Sequence, residues 1–321
     1  MKTTPSSATK FIILIVIALL FSATMIALSL RPRHAYTNND TRWNKSRTIE
    51  KNFTVQQGGQ LVLDSDVGDV RVIGYEGDEV RVTVKFNGPV KYQENIDVDF
   101  DQDGNSVTIT GKNKKKFFNF FSDDWFEVQY EIELPTNFNL DIHTAGGDIF
   151  IQDAFGNIQG ETSGGDIHLI QLDGIVRVVT SGGDIDVKGS KGDVMLKTSG
   201  GDVRGELLTG VVDIETSGGD IIIEDSDAKL NASTSGGDIR VELKDNKGID
   251  VSTSGGTIKI TLPKTITADV DAETTGGEVN CDFEFSGKLK DGSLQGKING
   301  GGLIIKAETS GGDIIINPID K

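Results

Sequence analysis

Six aspartates recur at intervals of eighteen residues through the middle of the chain, a spacing that could assemble a column of cation ligands. Each follows two glycines, and each would lie about 4.8 Å from the next if successive repeats stack as strands. Neighbouring carboxylates at that distance repel by roughly 1 kcal/mol even in water. Backbone N–H groups at the turns could offset this repulsion, which is the interpretation we favour, and calcium held between the carboxylates is the alternative. The column consists of Asp148, Asp166, Asp184, Asp202, Asp220 and Asp238.

A column of threonines precedes the glycine pairs. These residues share the parity of the inward apolar positions, so we predict buried hydroxyls in a hydrogen-bonded ladder at a corner of the chain. An ice-binding array would need a flat outward face, which this parity excludes. The column contains Thr144, Thr162, Thr180, Thr198, Thr216, Thr234, Thr253, Thr274 and Thr309.

The histidines and the cysteine give little support to catalysis. His34 precedes the repeats, while His143 and His168 fall on outward strand positions without a nucleophile beside them. Polysaccharide-cleaving β-helices break their repeat with unique acids and long loops, whereas the repeats here are uniform. Cys281 falls in an inward column and is interpreted as a core residue, and no cofactor is expected. We predict that the protein is not an enzyme, with an envelope enzyme acting on polysaccharide as the alternative.

Residues 112–126, KNKKKFFNFFSDDWF, interrupt the repeat with four lysines and with six of the seventeen Phe and Trp residues of the chain. We predict a long loop, whose aromatic side chains either fold back as a lid over the flank of the structure or contact a membrane or a partner. The contact hypothesis assigns this role to Lys114, Lys115, Lys116, Phe117, Phe118, Phe120, Phe121 and Trp125.

Composition excludes several classes of protein. A net charge of −17 over 321 residues repels phosphates, so a nucleic-acid partner is not expected. The single cysteine excludes an internal disulfide framework and a cysteine-based zinc site. Glycine is abundant, at 40 residues, and should mark turns.

The elements that position these columns come from a repeated six-residue phrase. It reads TAGGDI at 144, TSGGDI at 162, 180, 216 and 234, and TSGGDV at 198, then loosens to TSGGTI at 253, TTGGEV at 274, INGGGL at 298 and TSGGDI at 309. Val176, Val178 and Thr180 alternate before the Asp of one phrase, and Ile185 and Val187 alternate after it, which predicts two strands. The inward parity changes between them, so the chain must bend at the two glycines. A second glycine column, Gly156, Gly174, Gly192 and Gly210, predicts another corner.

Coils of about eighteen residues with short strands predict an all-β fold, a single-stranded parallel β-helix in which each coil pairs with the next. Right-handed winding follows from the general handedness of parallel crossovers. About a dozen coils would form a rod on the order of 60 Å long. Leu61 to Val72 fit the same frame, with Gly68 and Asp69 in the Gly and Asp positions, so the solenoid is expected to begin near residue 50. Pro318, which lacks an N–H, is expected to blunt the C-terminal edge.

A membrane segment precedes the repeats. Residues 11–30 contain no charge and are long enough to cross a hydrocarbon core of about 30 Å as a helix. The basic residues that follow favour an uncleaved anchor over a cleaved signal peptide. Charge counts on the two sides favour a cytoplasmic solenoid, but we expect an extracytoplasmic one, because N-terminal segments of this kind usually direct export. The predicted organisation is an N-terminal segment at 1–10, a transmembrane anchor or signal at 11–30, a polar tether at 31–48 and a solenoid domain at 49–321.

The serial SGGD[IV] phrases resemble the bacterial family named putative adhesins, a β-helical domain of unknown function, over most of residues 50 to 321. Strands that end in Leu-Pro before a new phrase, IELP at 132–135 and ITLP at 260–263, are a further family-like feature. The resemblance implies a structural or adhesive protein of the bacterial envelope, with envelope glycans or proteins as partners. Bactofilin-like solenoids are a more distant resemblance and imply self-association into a scaffold or filament as the alternative.

Overall fold

The structure of this protein is a computed structural model that describes residues 46–114 and 126–319. The described strands belong to one compact unit, Arg42–Lys321. It is all-β, with one helix of a single turn, α1 (Val90–Gln93), between the fourth and fifth strands. The expected all-β class is confirmed.

The N-terminal half of the unit contains thirteen of the described strands. They are β1 (Arg47–Thr54), β2 (Gly59–Ser65), β3 (Asp69–Tyr75), β4 (Glu79–Asn87), β5 (Ile96–Asp103), β6 (Ser106–Asn113), β7 (Glu127–Pro135), β8 (Phe138–Thr144), β9 (Ile149–Gln152), β10 (Phe155–Thr162), β11 (Ile167–Ile170), β12 (Asp173–Thr180) and β13 (Ile185–Lys188).

The C-terminal half contains the other thirteen. They are β14 (Lys191–Lys197), β15 (Val203–Glu206), β16 (Thr209–Glu215), β17 (Ile221–Ser233), β18 (Ile239–Leu243), β19 (Ile249–Thr253), β20 (Ile258–Leu262), β21 (Ala268–Thr274), β22 (Val279–Cys281), β23 (Phe285–Lys290), β24 (Ser293–Ile298), β25 (Leu303–Thr309) and β26 (Ile314–Pro318).

In the central coils a longer strand alternates with a shorter one, and each pairs in parallel with its equivalent eighteen residues later. Thr162 of β10 lies beside Thr180 of β12, and Ile167 of β11 lies beside Ile185 of β13. The longer strands form one sheet, which we call sheet B, and the shorter strands form the other, sheet A. The predicted eighteen-residue register and the parallel pairing are confirmed.

The core lies between the two sheets. Val176 and Val178 on sheet B and Ile185 and Val187 on sheet A are all at most 3% exposed, as the alternation of apolar residues predicts. The chain bends between them at Ser181, Gly182 and Gly183. Apolar columns therefore stack on apolar columns, and burial against both neighbouring coils stabilises each coil.

The coil order departs from the chain order at the N-terminal end. β2 pairs with β6 on one side and β8 on the other, and β3 lies between β7 and β9. The first coil, β2 and β3, therefore lies between the second coil, β6 and β7, and the first coil of the central stack, β8 and β9. Gly68 and Asp69 occupy the predicted corner positions, because Asp148 donates its N–H to Asp69 Oδ1 at 3.0 Å.

A similar exchange occurs at the C-terminal end. β25 lies between β19 and β21, and β26 lies between β20 and β22. The prediction that each coil pairs with the next in the chain is wrong at both ends. The prediction that Pro318 blunts a terminal edge is also wrong, because β26 is an inner strand and Pro318 lies beside Leu262 of β20.

Antiparallel strands complete both ends. At the N-terminal end, β4 and then β1 extend sheet A beyond β7, and β5 extends sheet B beyond β6. At the C-terminal end, β24 and then β23 extend sheet B beyond β21, while β22 pairs only with β26.

No helix in residues 46–114 or 126–319 is long and apolar enough to cross a membrane. The predicted membrane segment, 11–30, lies outside the described residues, so the transmembrane helix remains a prediction.

Candidate functional site

The aspartate column lines the corner that follows each sheet B strand. Each carboxylate accepts the backbone N–H of the equivalent residue in the next coil: Asp166 N–H donates to Asp148 Oδ1 at 2.8 Å, and Asp184 N–H donates to Asp166 Oδ1 at 2.8 Å. The series continues through Asp202, Asp220 and Asp238 and ends at the N–H of Thr257. A carboxylate bonded to an N–H is stabilised in its charged form, which offsets the repulsion along the column.

The favoured interpretation of turn chemistry therefore fits the geometry, although the partner is the next coil rather than the same turn. The second carboxylate oxygen faces outward, and at Asp202 it accepts a hydrogen bond from Arg204 Nη2 at 2.8 Å. Within the described residues, no group of three or more His, Cys, Asp or Glu side chains has the arrangement of a metal site. The calcium column remains a prediction.

The threonine column is buried, as predicted, and the hydroxyls bond the backbone of the preceding coil rather than one another. Thr180 Oγ1 donates to the Gly165 carbonyl at 2.9 Å and accepts the Gly183 N–H at 3.3 Å. The same pair of bonds recurs at Thr162, Thr198, Thr216 and Thr234. Each hydroxyl therefore satisfies one buried carbonyl and one buried N–H.

The second glycine of each phrase is fixed by contact between coils. A Cβ on Gly183 would overlap the carbonyl oxygen of Gly165, and the same overlap recurs along the column at Gly165, Gly201 and Gly219. The first glycine has more room, because the atom nearest to a Cβ on Gly182 would be the Gly164 Cα, at 3.9 Å. The corner thus needs glycine at one of the two positions for steric reasons.

The histidines lie on outward strand positions, each beside acidic side chains. His143 Nε2 lies 2.8 Å from Asp141 Oδ1, and its Nδ1 lies 3.4 Å from Glu161 Oε2. His168 Nδ1 lies 3.2 Å from Asp186 Oδ2. Cys281 is half-buried against the core, as expected, and burial raises the pKa of its thiol, so the thiol is less reactive than a free cysteine.

The basic and aromatic loop leaves sheet B after β6 and returns to sheet A at β7. Of the residues assigned to the contact role, Lys115, Lys116, Phe117, Phe118, Phe120, Phe121 and Trp125 lie outside the described residues. Lys114 is described, and its Nζ pairs with Asp97 Oδ1 at 2.7 Å. Beside it, Lys112 pairs with Asp64 at 2.7 Å, and at the other end of the loop Phe126 packs against the Tyr92 ring.

Two shallow grooves on the outer faces were not predicted. On sheet A a cavity of about 320 Å³ is lined by His168, Asp186, Lys188, Arg204 and Glu206 together with Ile222. On sheet B a cavity of about 450 Å³ is lined by Met195, Lys197, Asp213, Asn231 and Asp250 among others. The alternation of the strands places these side chains outward, but it contains no signal of a groove.

No curated protein matches the chain. Among solved structures, the chain is similar to a putative adhesin from Bacteroides fragilis, at 16% identity over 85% of this chain and 97% of that chain, with a TM-score of 0.41. It is also similar to a putative lipid binding protein from Parabacteroides distasonis, at 14% identity over 86% and 97% of the two chains, with a TM-score of 0.39.

A third similar structure is a putative cell adhesion protein from Clostridium sporogenes, at 14% identity over 85% of this chain and 100% of that chain, with a TM-score of 0.24. The family profile described as Toastrack DUF4097 matches residues 59–317, which run from the first residue of β2 into β26, and the chain therefore belongs to the Toastrack DUF4097 family.

Proposed function

We propose that this protein is a membrane-anchored, non-enzymatic β-solenoid of the bacterial envelope with a structural or adhesive role. The observation that carries the proposal is the regular spacing of the outward positions on its two faces. Coil after coil, each strand presents its outward side chains at the same positions, one strand spacing of about 4.8 Å apart. A surface built in this way suits repeated contact with an extended partner such as a glycan or another envelope protein.

The outward charges support a binding surface better than a catalytic centre. Several of them are paired with the equivalent position of the next coil, as in Lys188 with Glu206 at 2.7 Å and Lys197 with Glu215 at 2.7 Å. These groups are about half exposed, with side-chain exposures between 41% and 60%. Catalytic acids and bases depend on partly desolvated, converging side chains, whereas these ladders are open to solvent.

The test begins with orientation. In intact bacteria that make the full chain, an added protease should cleave the solenoid if it is extracytoplasmic, and cleavage only after lysis would contradict the proposal. The purified protein is then screened against envelope glycans for both binding and turnover. Binding without turnover supports the adhesive role, while saturable cleavage of a glycan would establish the enzymatic alternative.

Face variants show whether the grooves carry the binding. Arg204→Ala with Ile222→Ala changes the sheet A groove, and Met195→Ala with Asn231→Ala changes the sheet B groove, and all four residues point away from the core. Each pair is the matched control for the other. Loss of binding in one pair alone locates the surface, and unchanged binding in both excludes the two grooves as the adhesive site.

The loop between β6 and β7 is proposed to contact the membrane. The supporting observation is that β1, where the chain enters the solenoid, lies close to the start of β7, where the loop ends. Arg47, the first residue of β1, lies beside Phe86 of β4, and Phe86 lies beside Val128 of β7. Two strand spacings, about 10 Å, therefore separate the entry of the chain from the end of the loop. The chain therefore enters β1 close to the point where the loop ends at β7.

Liposome flotation of residues 42–321, the compact unit, tests this contact. Weak binding to anionic vesicles is expected, weakened by salt and lost when Phe117, Phe118, Phe120 and Phe121 become Ser. If the wild-type protein does not bind the vesicles and the Ser variant loses thermal stability, the aromatic residues form a packing lid.

A further inference from the structure

The two ends of sheet B terminate in edge strands of opposite charge. At the N-terminal end, β5 carries four exposed aspartates at alternate positions: Asp97, Asp99, Asp101 and Asp103. At the C-terminal end, β23 carries exposed Lys288 and Lys290, also at alternate positions. In the described part of the chain only Asp97 among these six has an ion-pair partner, Lys114, so the other five charges are available to a neighbour.

The opposite sides of the same strands are apolar. Ile96 on β5 is 1% exposed, and Val98 and Phe100 are half-buried against the core. On β23, Phe285 is half-buried, and Leu289 is 53% exposed although it faces Leu294, a residue of the core. On both edges the apolar residues share one side of the strand and the charged residues share the other, so each has the pattern of a strand that would continue sheet B.

Strand direction permits that continuation between two copies. β5 is antiparallel to β6, which has the direction of the stacked coils, and β23 has the same direction as those coils, because β24 between β23 and β21 is antiparallel to both. If a second copy extends the stack in the same orientation, its β5 meets β23 in an antiparallel pair. Outward side chains of one strand then face outward side chains of the other, which places lysines opposite aspartates.

The ends of the stack are also staggered in a complementary sense. Beyond the outermost parallel coil at the N-terminal end, sheet A has two further strands and sheet B has one. Beyond the outermost parallel coil at the C-terminal end, sheet B has two further strands and sheet A has none. A junction would contain three extra strands in sheet B and two in sheet A. The N-terminal end supplies both of the extra strands in sheet A, and the C-terminal end supplies two of the three in sheet B.

The charges also decide which contacts are disfavoured. Exposed edge strands tend to pair with other chains, and charged side chains on them block the wrong pairings. Contact between two N-terminal ends would place aspartate against aspartate, and contact between two C-terminal ends would place lysine against lysine. Only the head-to-tail contact brings opposite charges together.

We propose that copies of this chain associate head to tail, with β5 of one copy pairing antiparallel with β23 of the next. Such a contact joins two different surfaces and does not close on itself without a rotation, so it produces open-ended rods. The proposal goes beyond the adhesive role and does not depend on it, since a rod can assemble whether or not its faces bind a glycan.

Charge reversal in the full chain, purified in detergent micelles, tests the contact by sedimentation velocity and by electron microscopy. The wild-type chain is expected to form rods whose length grows with protein concentration and falls with salt. Asp99→Lys with Asp101→Lys should weaken association about tenfold or more, and Lys288→Asp with Lys290→Asp should do the same. All four reversals in one chain should restore it, because the opposite charges meet again. Association through the apolar segment 11–30 would not respond to these changes.

The matched control for the aspartate variant is Asp193→Lys with Glu224→Lys, which makes the same change in net charge as that variant at exposed positions in the middle of the stack and should leave association unchanged. Circular dichroism shows whether each variant folds, and if one edge variant does not, the other edge variant and the salt dependence decide the matter. A wild-type chain that stays monomeric at all concentrations would overturn the proposal. A closed dimer, or edge variants that assemble like the wild type, would overturn it too.

Discussion

The two corners of each coil are built in different ways. The corner after the sheet B strand repeats one phrase, and its contacts with the next coil are a threonine hydroxyl, an aspartate oxygen and a glycine with no space for a Cβ. The corner after the sheet A strand shares the glycine column Gly156, Gly174, Gly192 and Gly210, but three residues before that column each central coil has a positive-φ residue with no common side chain. These residues are Asp153 (φ 56°), Gln171 (φ 53°), Gly189 (φ 73°), Leu207 (φ 58°) and Asp225 (φ 49°).

The comparison shows that a repeated backbone shape does not require a repeated residue. At the left-handed position of the second corner the bond between coils is made by the backbone, as when Gln171 N–H donates to the Lys188 carbonyl at 2.8 Å, so the residue type there can vary. At the first corner the side chains themselves make the bonds between coils, with the threonine bonds buried and the aspartate bonds nearer the surface, and the sequence is uniform because each coil repeats the same set of bonds.

The largest expected change in stability comes from substituting the second glycine of the first corner, and the first glycine should be much more tolerant. Gly183→Ala places a Cβ against the Gly165 carbonyl and should destabilise the protein by about 3 kcal/mol, because neither backbone can move without breaking the ladder. Gly182→Ala is the matched control and should cost well under 1 kcal/mol, since a Cβ there would make only ordinary van der Waals contact, at 3.9 Å from the Gly164 Cα. Urea denaturation measures both, and equal effects would contradict the steric explanation.

The next largest loss of stability is expected when a buried threonine hydroxyl is removed. Thr198→Val keeps the shape of the side chain but leaves the Gly183 carbonyl and the Gly201 N–H without their partner, which should cost about 1–3 kcal/mol. Thr198→Ser keeps the hydroxyl and should cost less. If serine proves as harmful as valine, packing of the methyl group rather than hydrogen bonding explains the column.

At the second corner a substitution should stabilise the protein rather than destabilise it. Leu207 has a left-handed backbone and is 41% exposed, so Leu207→Gly removes the backbone strain and loses little burial. We expect stabilisation of up to about 1 kcal/mol in thermal unfolding. The reciprocal change, Gly189→Leu, should destabilise by a similar amount, and a destabilised Leu207→Gly protein would show that the leucine side chain matters to the corner.

Calcium tests whether the aspartate column has a role beyond the corner. If the column binds calcium only in the folded protein, a concentration equal to the dissociation constant should stabilise the fold by about 0.4 kcal/mol. The melting temperature should then rise slightly with calcium and fall again with a chelator. Asp184→Asn with Asp202→Asn, which keeps an oxygen for the backbone N–H, should abolish the rise, and no rise in the wild-type protein would leave the column with its structural role alone.

The smallest effect concerns Asp69, where the aspartate column begins. Burial raises the pKa of its carboxyl group, and the nearby charges of Asp148 and Glu127 add to the rise, while the hydrogen bond from the Asp148 N–H opposes it. A raised pKa in the folded state means that the charged form is penalised, so stability falls as the pH rises through that pKa.

Asp69→Asn keeps the acceptor oxygen and should therefore stabilise the protein by a few tenths of a kcal/mol at neutral pH. The difference should vanish below the pKa of an unfolded aspartate, about 3.9, where the carboxyl group is neutral in both states. Unfolding curves at the two pH values measure it, and a variant less stable at neutral pH would contradict the assignment.

Much of the site could be predicted from sequence because the repeat is local. The inward positions of Val176, Thr180 and Ile185 followed from alternation and from the change of parity at the glycines. The grooves on the outer faces and the left-handed residues of the second corner could not be predicted. Their side chains share no pattern, since the property that they share belongs to the backbone.

By itself, the sequence determined the eighteen-residue register, the two faces of every strand and the use of glycine at the first corner, because period-2 alternation and repeat length act within a single coil. Only the tertiary structure decided the order of the coils. The insertion of β2 between β6 and β8 and of β25 between β19 and β21 joins strands that are far apart in the chain. Coils with the same inward pattern can stack on one another in any order. The order is therefore decided by how well the irregular end strands cover the core. That property depends on several coils together and cannot be read from a single repeat.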